Sequence, residues 1–332
     1  MDMVQAKRAC EARPSRFLGA ALVIIAGLLS GCGQPGGSGT TPPPSASGTP
    51  TATPTVGPCG TTSTQPSRYQ HVVWIIMENK SYSSVIGSPS APYESQLAHQ
   101  CASDTNWSDA GGQYNSLPNY IAMTTGQSGS ILTPFTCDCA PSSSVSITVD
   151  NIFRQVRNAG DTERSFAEGM SGYCSNSGTT YAPKHNPALY MWDGADRTAC
   201  QQDDVPMGGA TAGNFINALN DNTLPTYSLM APNLCDDTHD CGVSRGDQFL
   251  KTLLPQILAS QAYRSGRTAV FVVWDEDSYV PNIVIAPSVI PGTSTSTAVN
   301  HYGLLRATEE MLGLPLLGNA AGATSLRTVF HI

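Results

Sequence analysis

Two segments of the chain are apolar at nearly every position rather than at every second one. They are His71-Val72-Val73-Trp74-Ile75-Ile76-Met77 and Thr268-Ala269-Val270-Phe271-Val272-Val273-Trp274. Each has the length and β-branched content of a strand, and an unbroken apolar run is what a strand covered on both faces requires. Shorter segments of the same kind are residues 226–230 and 282–286. Between them the period changes to 3.6. Gly246 to Gln261 carries Phe249, Leu250, Leu253, Leu254, Ile257 and Leu258 on one face, and Tyr302 to Leu312 does the same with Leu304, Leu305, Ala307, Met311 and Leu312. Residues 151–156, followed by Gly160, read as a helix with a glycine stop. Strands alternating with helices predict an α/β domain with a doubly wound, mostly parallel sheet and helices on both faces.

Both long apolar runs stop abruptly, the first in Glu78-Asn79-Lys80-Ser81 and the second in Asp275-Glu276-Asp277. Ligands of open α/β sheets gather beyond the carboxyl ends of the strands. If the two ends converge, three or four oxygen donors meet at one point, which suits a hard or borderline divalent cation. Acids also end strands simply to meet solvent, so the pattern alone leaves both readings open.

The start of the chain follows different rules. A basic region precedes the apolar run Phe17 to Leu29 and then Ser30-Gly31-Cys32. The run is short for a membrane span and small residues follow it, as in a cleaved secretory signal. Leu29-Ser30-Gly31-Cys32 also resembles the bacterial lipobox, which makes Cys32 the lipidation site. Residues 33–67 are Gly, Pro, Ser and Thr with almost no large apolar side chain, a composition that cannot bury enough surface to fold. The expected organisation is therefore a signal peptide over 1–31, a lipid-anchored disordered stalk over 32–67 and a catalytic domain over 68–332. The protein is expected outside the cytoplasm, as a lipoprotein of a bacterial cell envelope held to the membrane through Cys32.

Charge narrows the partners. The chain has 17 Lys+Arg and 25 Asp+Glu; subtracting the four bases and two acids of residues 1–31 leaves 13 against 23, a net charge near −10. Such a surface repels nucleic acid, so no nucleic-acid partner is expected. A small phosphorylated substrate is compatible, because a bound cation reverses the local field. Setting aside Cys10 and Cys32 leaves eight cysteines, an even count that in an exported chain predicts up to four disulfides. Cys235–Cys241 is the expected local clasp. Neither that spacing nor Cys137-Asp138-Cys139 has the C-x2-C form of common zinc sites.

Five ordered motifs then carry a resemblance: Met77-Glu78-Asn79-Lys80-Ser81, Ser116-Leu117-Pro118-Asn119-Tyr120, residues 232–240 (PNLCDDTHD), Trp274-Asp275-Glu276-Asp277 and Asn300-His301-Tyr302. Together they resemble the bacterial phosphoesterase family of acid phosphatases and phospholipases C, within the alkaline-phosphatase-like superfamily, over roughly residues 69–328. The resemblance implies an alkaline-phosphatase-like fold and one or more divalent metal ions held by Glu78, Asn79, Asp275 and Glu276. It implies Ser116 as nucleophile through a phosphoserine intermediate, with His185 and His239 as further catalytic residues. Asn119, Asp240 and His301 are the implied substrate-binding residues. The chemistry agrees: a serine hydroxyl is a poor nucleophile until a base or a cation lowers its pKa. Read locally, Ser116 is first an N-cap, and the family motif reverses that order. His71, His99 and His331 receive no role.

Gly242-Val243-Ser244-Arg245-Gly246 fits the G-x-S-x-G elbow of serine esterases, but an acidic, polar stretch precedes it where that motif needs an apolar strand. Ser244 and Asp247 are expected instead to open the helix that follows. After Asp277 the chain lacks the glycines usual in the phospholipase branch, which favours a phosphomonoesterase of the acid phosphatase type. A phospholipase C-type phosphodiesterase and a non-catalytic binding lipoprotein are the alternatives.

Overall fold

The computed structural model describes residues 57–110 and 115–332. The predicted signal segment, Cys32 and most of the stalk lie outside the described residues. The strands are β1 (His71–Met77), β2 (Ala102–Asp104), β3 (Trp107–Ser108), β4 (Glu163–Ala167), β5 (Asp204–Pro206), β6 (Tyr227–Ala231), β7 (Thr268–Trp274), β8 (Asn282–Ile285), β9 (Thr293–Thr295) and β10 (Val299–Asn300). Eight of them form one sheet in the order β5-β4-β6-β1-β7-β8-β2-β9, and β3 pairs with β10 separately. The run from β5 to β7 is parallel throughout; β8 is antiparallel to both its neighbours. The sheet is thus mixed and mostly parallel, as the apolar runs predict.

The unbroken apolar pattern of β1 has a direct cause. Val72 to Met77 are all fully buried, and so is every residue of β7. Side chains alternate between faces along a strand, so both faces must be covered. Trp74 points to one, where its Nε1 donates to Thr308 Oγ1 (2.9 Å) on the helix His301–Leu312. Met77, of opposite parity, meets the helix Val243–Ala259 on the other. A Cβ on Gly246 would lie 3.0 Å from Met77 Cε and 2.3 Å from Thr238 Cγ2, so only glycine lets that helix approach. Each valine or isoleucine buried in this way contributes roughly 1.5–3 kcal/mol.

The helices end where capping chemistry says they should. Asn300 accepts from Gly303 N at the start of His301–Leu312, and Gly313 closes it at φ 68°. Asn151 accepts from Arg154 N and starts Ile152–Asn158. The G-x-S-x-G segment corrects the expected helix start. The helix opens at Val243, its cap is Gly242, and Ser244 is exposed in the first turn. Asp247 does not cap it; its Oδ1 accepts from Glu94 N (2.9 Å) on the neighbouring helix Pro92–Gln100.

The expected stalk boundary at 67 is also corrected. Cys59 is buried and disulfide-bonded to Cys101, Tyr263 OH donates to Pro58 O, and Arg327 donates to Pro66 O. Residues from 57 onward therefore belong to the domain, despite a composition that reads as linker. The other disulfides among the described residues are Cys137–Cys139, Cys174–Cys200 and the expected clasp Cys235–Cys241. None of the described helices is long and apolar enough to cross a membrane.

Candidate active site

The register of the sheet brings the two acidic strand ends together. β1 and β7 pair from His71↔Thr268 to Met77↔Trp274, so Glu78-Asn79 and Asp275-Glu276 leave adjacent strands side by side. Asp275 N donates to Met77 O (3.0 Å), and Asn79 N donates to Asp275 Oδ1 (3.2 Å). On the other side of β1, β6 delivers the loop after Ala231, and Glu78 N donates to Asp237 O (2.8 Å). Asn79 (φ 44°) and Thr238 (φ 79°) both sit in the left-handed region, an ordinary place for asparagine and a costly one for a β-branched residue. Thr238 is held there because its Oγ1 donates to Glu78 O (2.8 Å) and accepts from Trp274 Nε1 (3.3 Å).

Ser116 faces Glu78. It is the first residue of a fully buried helix, Ser116–Thr125, rather than its cap, and its Oγ donates to Glu78 Oε2 at 3.1 Å. One turn later Tyr120 OH donates to Glu78 Oε1 at 2.6 Å. His185 lies flat against the Tyr120 ring (centroids 5.5 Å, 12°), with Nε2 3.2 Å from Glu78 Oε2 and Nδ1 3.3 Å from Asp237 Oδ2. His239 stands closer to solvent, its ring 5.8 Å from that of His185 and its Nδ1 bonded to Asp240 Oδ1 (2.7 Å).

The electrostatics of this cluster are unbalanced. Burial, reinforced by the charges of Asp275 and Asp237, pushes the Glu78 carboxyl well above the usual range. Burial raises Asp275 as well, takes Asp237 to about 7, and together with the Asp275 charge takes Glu276 to about 8. Burial drives His185 down to about 3, so its ring is neutral. Asn79 Oδ1, His185 Nε2, Asp237 Oδ2, Asp275 Oδ2 and Glu276 Oε2 are all buried without a hydrogen bond. A set of orphaned oxygens and one imidazole nitrogen fits a divalent cation, and it is the donor chemistry such an ion takes. Among the described residues, Glu78, His185 and Asp237 bring their ligand atoms within 4.8 Å of one another.

The structure sorts the predicted residues. It brings Ser116, Glu78, Asn79, Asp275 and His185 together, with Glu276 beside Asn79 and His239 at the edge. Three others stand apart from that point. Asp240 is 60 % exposed at its side chain and serves His239, whereas Asp236 and Asp237 are buried and Asp237 is the one that reaches His185. Asn119 accepts from Ala110 N and donates to Asn115 O, bracing the backbone around Ser116. His301 has both ring nitrogens engaged: Trp107 Nε1, which can only donate, bonds its Nδ1 (3.2 Å), leaving Nε2–H to donate to Asp275 O (2.7 Å). It supports the backbone of Asp275 from beneath. Tyr120 and Asp237 are the residues that sequence reasoning passed over. Tyr120 had a usable signal, since residues four apart on a helix share a face with Ser116; three acids within PNLCDDTHD gave no means of choosing Asp237.

The sequence profile of the Phosphoesterase family matches residues 91–279. The chain is 30 % identical over 270 residues to a phosphatidylinositol-3-phosphatase of Mycobacterium tuberculosis, covering 79 % of this chain and 83 % of that one. It is 26 % identical over 159 residues to a phosphate-repressible acid phosphatase of Penicillium chrysogenum, covering 45 % of this chain and 37 % of that protein. Among solved structures, a protein of the alkaline phosphatase superfamily from Vibrio parahaemolyticus matches with a TM-score of 0.51 at 13 % identity, over 81 % of this chain and 74 % of that one. The last is a likeness of fold.

Proposed function

Because this chain belongs to the Phosphoesterase family and is a hydrolase of phosphoric ester bonds, we propose that it is a metal-assisted phosphomonoesterase with Ser116 as its nucleophile. One observation carries the reading: the Ser116 hydroxyl is bonded to Glu78 inside a group of acids in which Asp237, Asp275 and Glu276 each keep one buried oxygen without a hydrogen bond. A structural serine needs no such surroundings.

Glu78, Asn79, Asp275 and Glu276, with Asp237 and His185 beside them, are the residues that would hold the ion. A divalent cation bound there lowers the pKa of a neighbouring hydroxyl and neutralises charge on the phosphoryl oxygens. The protein's own groups do the rest. Ser116 Oγ gives its proton to Glu78 Oε2, to which it is already bonded, and forms the bond to phosphorus while the ester bond to the leaving alcohol breaks. Tyr120 holds Glu78 in place through Oε1. His239, oriented by Asp240 through Nδ1, is the imidazole nearest to solvent, and its other nitrogen supplies the proton to the leaving alkoxide. Water then releases phosphate from the phosphoserine. Asn119 and His301 act on position, the first on the Ser116 backbone and the second on Asp275.

The disulfides favour an oxidising compartment, and with the leader and Cys32 they support an exported lipoprotein. The test is phosphate release from p-nitrophenyl phosphate, set beside bis-p-nitrophenyl phosphate and p-nitrophenylphosphorylcholine, with a panel of divalent cations. Monoester turnover that disappears on chelation and in Ser116→Ala is the expected result. Preference for either diester moves the protein to the phospholipase C type, and no turnover with any cation moves it to a binding lipoprotein.

A further inference from the structure

Between Phe135 and Cys139 a short loop leans over the start of the nucleophile helix. Its backbone is tied down on both sides, by Asn115 Nδ2 donating to Thr136 O (3.0 Å) and Tyr190 OH donating to Cys139 O (2.9 Å). Asp138, at its tip between the paired Cys137 and Cys139, has φ 51° and aims its carboxylate inward. One oxygen accepts from Leu117 N (3.0 Å), the amide next to Ser116, and the other pairs with Lys184 Nζ (3.2 Å). Lys184 in turn precedes His185, whose orphaned and fully buried Nε2 faces the Glu78 oxygen that Ser116 uses.

The two donors that Asp138 holds therefore belong to residues adjoining Ser116 and His185, the two groups that meet at Glu78 Oε2. A carboxylate offers two anionic oxygens a little over 2 Å apart, and a phosphoryl group offers the same arrangement slightly enlarged. The Leu117 amide has a single N–H to give, so two anions cannot both be held by it. We propose that Leu117 N and Lys184 Nζ are the phosphoryl-binding donors and that Asp138 is a built-in competitor which occupies them until a phosphomonoester displaces its side chain. The proposal rests on the phosphomonoesterase reading. It makes Lys184 a determinant of monoester preference, because a monoester keeps an unesterified oxygen for the ammonium where a diester has one fewer. Displacement needs only side-chain rotation of Asp138, since the loop backbone is anchored.

The experiment is binding of inorganic phosphate to the full chain loaded with a divalent cation, by calorimetry, together with KM for p-nitrophenyl phosphate. If Asp138 competes, Asp138→Asn and Asp138→Ala tighten phosphate binding and lower KM by about five- to tenfold, as expected when a binding-competent state rises from a minor fraction to the whole. Lys184→Met weakens phosphate binding by about tenfold or more, the loss of one charge-assisted hydrogen bond, and Asp138→Ala adds nothing in its presence. The isosteric asparagine guards against a loosened loop. Phosphate binding that is unchanged or weaker in both Asp138 variants, in a wild type that hydrolyses the monoester, overturns the competitor and leaves Asp138 as a positioning residue for Lys184. A wild type that neither binds phosphate nor hydrolyses the monoester overturns this proposal and the functional reading together.

Discussion

Two regions of this protein bury acids, and they do so in opposite ways. Beside β4, Asp196 is held by Arg154 Nη2 (2.6 Å), Arg157 and Asn151 Nδ2 (3.0 Å), and Glu163 is paired with the same Arg157. The two arginines stand three residues apart on the helix Ile152–Asn158 and so reach one face together. At the ends of β1 and β7, Glu78, Asp237 and Asp275 are as deeply buried, yet Asp237 and Asp275 each keep an oxygen with no hydrogen bond, that of Asp237 lying 3.3 Å from the neutral His185 ring. Burying a charge without a partner is costly, so such a group either keeps a proton or takes a cation from outside the chain. What sets the site apart is several such oxygens on adjacent strand ends, since the isolated buried acids Glu94 and Glu309 also keep oxygens without a hydrogen bond. Space is a poorer guide. A cleft of about 720 Å3 lies at the amino ends of the strands, lined by Arg68, His71 and Arg267 among others, and no orphaned side-chain atom is among its lining residues.

The sharpest way to break the comparison is to remove what the unpaired region is for. Ser116→Ala is expected to lower monoester hydrolysis by at least about 10³-fold, with circular dichroism unchanged because the helix is packed along its whole length. Residual turnover near the wild-type rate would show that the buried acids serve another group. The paired region should answer in the other currency: Arg157→Met strips the partner from Glu163 and one from Asp196, and is expected to cost about 3 kcal/mol in denaturant unfolding. The kcat of the protein that remains folded should not change.

A divalent cation should separate the regions without any mutation of the arginines. At a hundredfold excess over its dissociation constant it adds about 2.7 kcal/mol to the folded state, raising the melting temperature by roughly 5–10 °C for a domain of this size. Asp275→Asn should melt higher than the wild type without cation, since an unpaired charge is gone, and lose most of the cation-induced rise. Equal rises in both proteins would take Asp275 out of the ligand set.

The last expected effect concerns Glu309, a buried acid that belongs to neither region. Its Oε1 accepts from Leu317 N (2.9 Å), its Oε2 has no partner, and burial raises its pKa to about 8. The folded state thus keeps a proton that the unfolded chain gives up near the ordinary carboxylate value of about 4.3. The native protein binds more protons across that window, so this group's contribution to stability falls as pH rises from about 4 to 8. Glu309→Gln should flatten the melting temperature over that range and leave the cation response intact. A profile as steep as the wild type would assign the slope to other acids.

Much of this architecture was legible before folding. β1 and β7 announced themselves because a strand buried on both faces has no polar alternate positions, and the acids that end them are where parallel sheets present ligands. Ser116 entered through the resemblance, since its immediate neighbours favour an N-cap over a nucleophile. Other assignments were out of reach. Asp240 and Asp237 differ by three positions in one acidic loop, and only the turn at Thr238 decides which is buried. His301 looked available in Asn300-His301-Tyr302 until Trp107, 194 positions away, took one nitrogen. The pairing of Asp138 with Lys184, 46 positions apart, has no local signature at all.

The division follows from the range of the forces involved. Periodicity, capping and β-branched content act between near neighbours, so the sequence by itself determined which segments are strands, where they stop and what donor types stand at their ends. Burial and hydrogen-bond partnership arise between distant segments packed together. Only the tertiary structure decided that β1 and β7 lie in register, that Glu78 meets Ser116, and which acids were left without a partner.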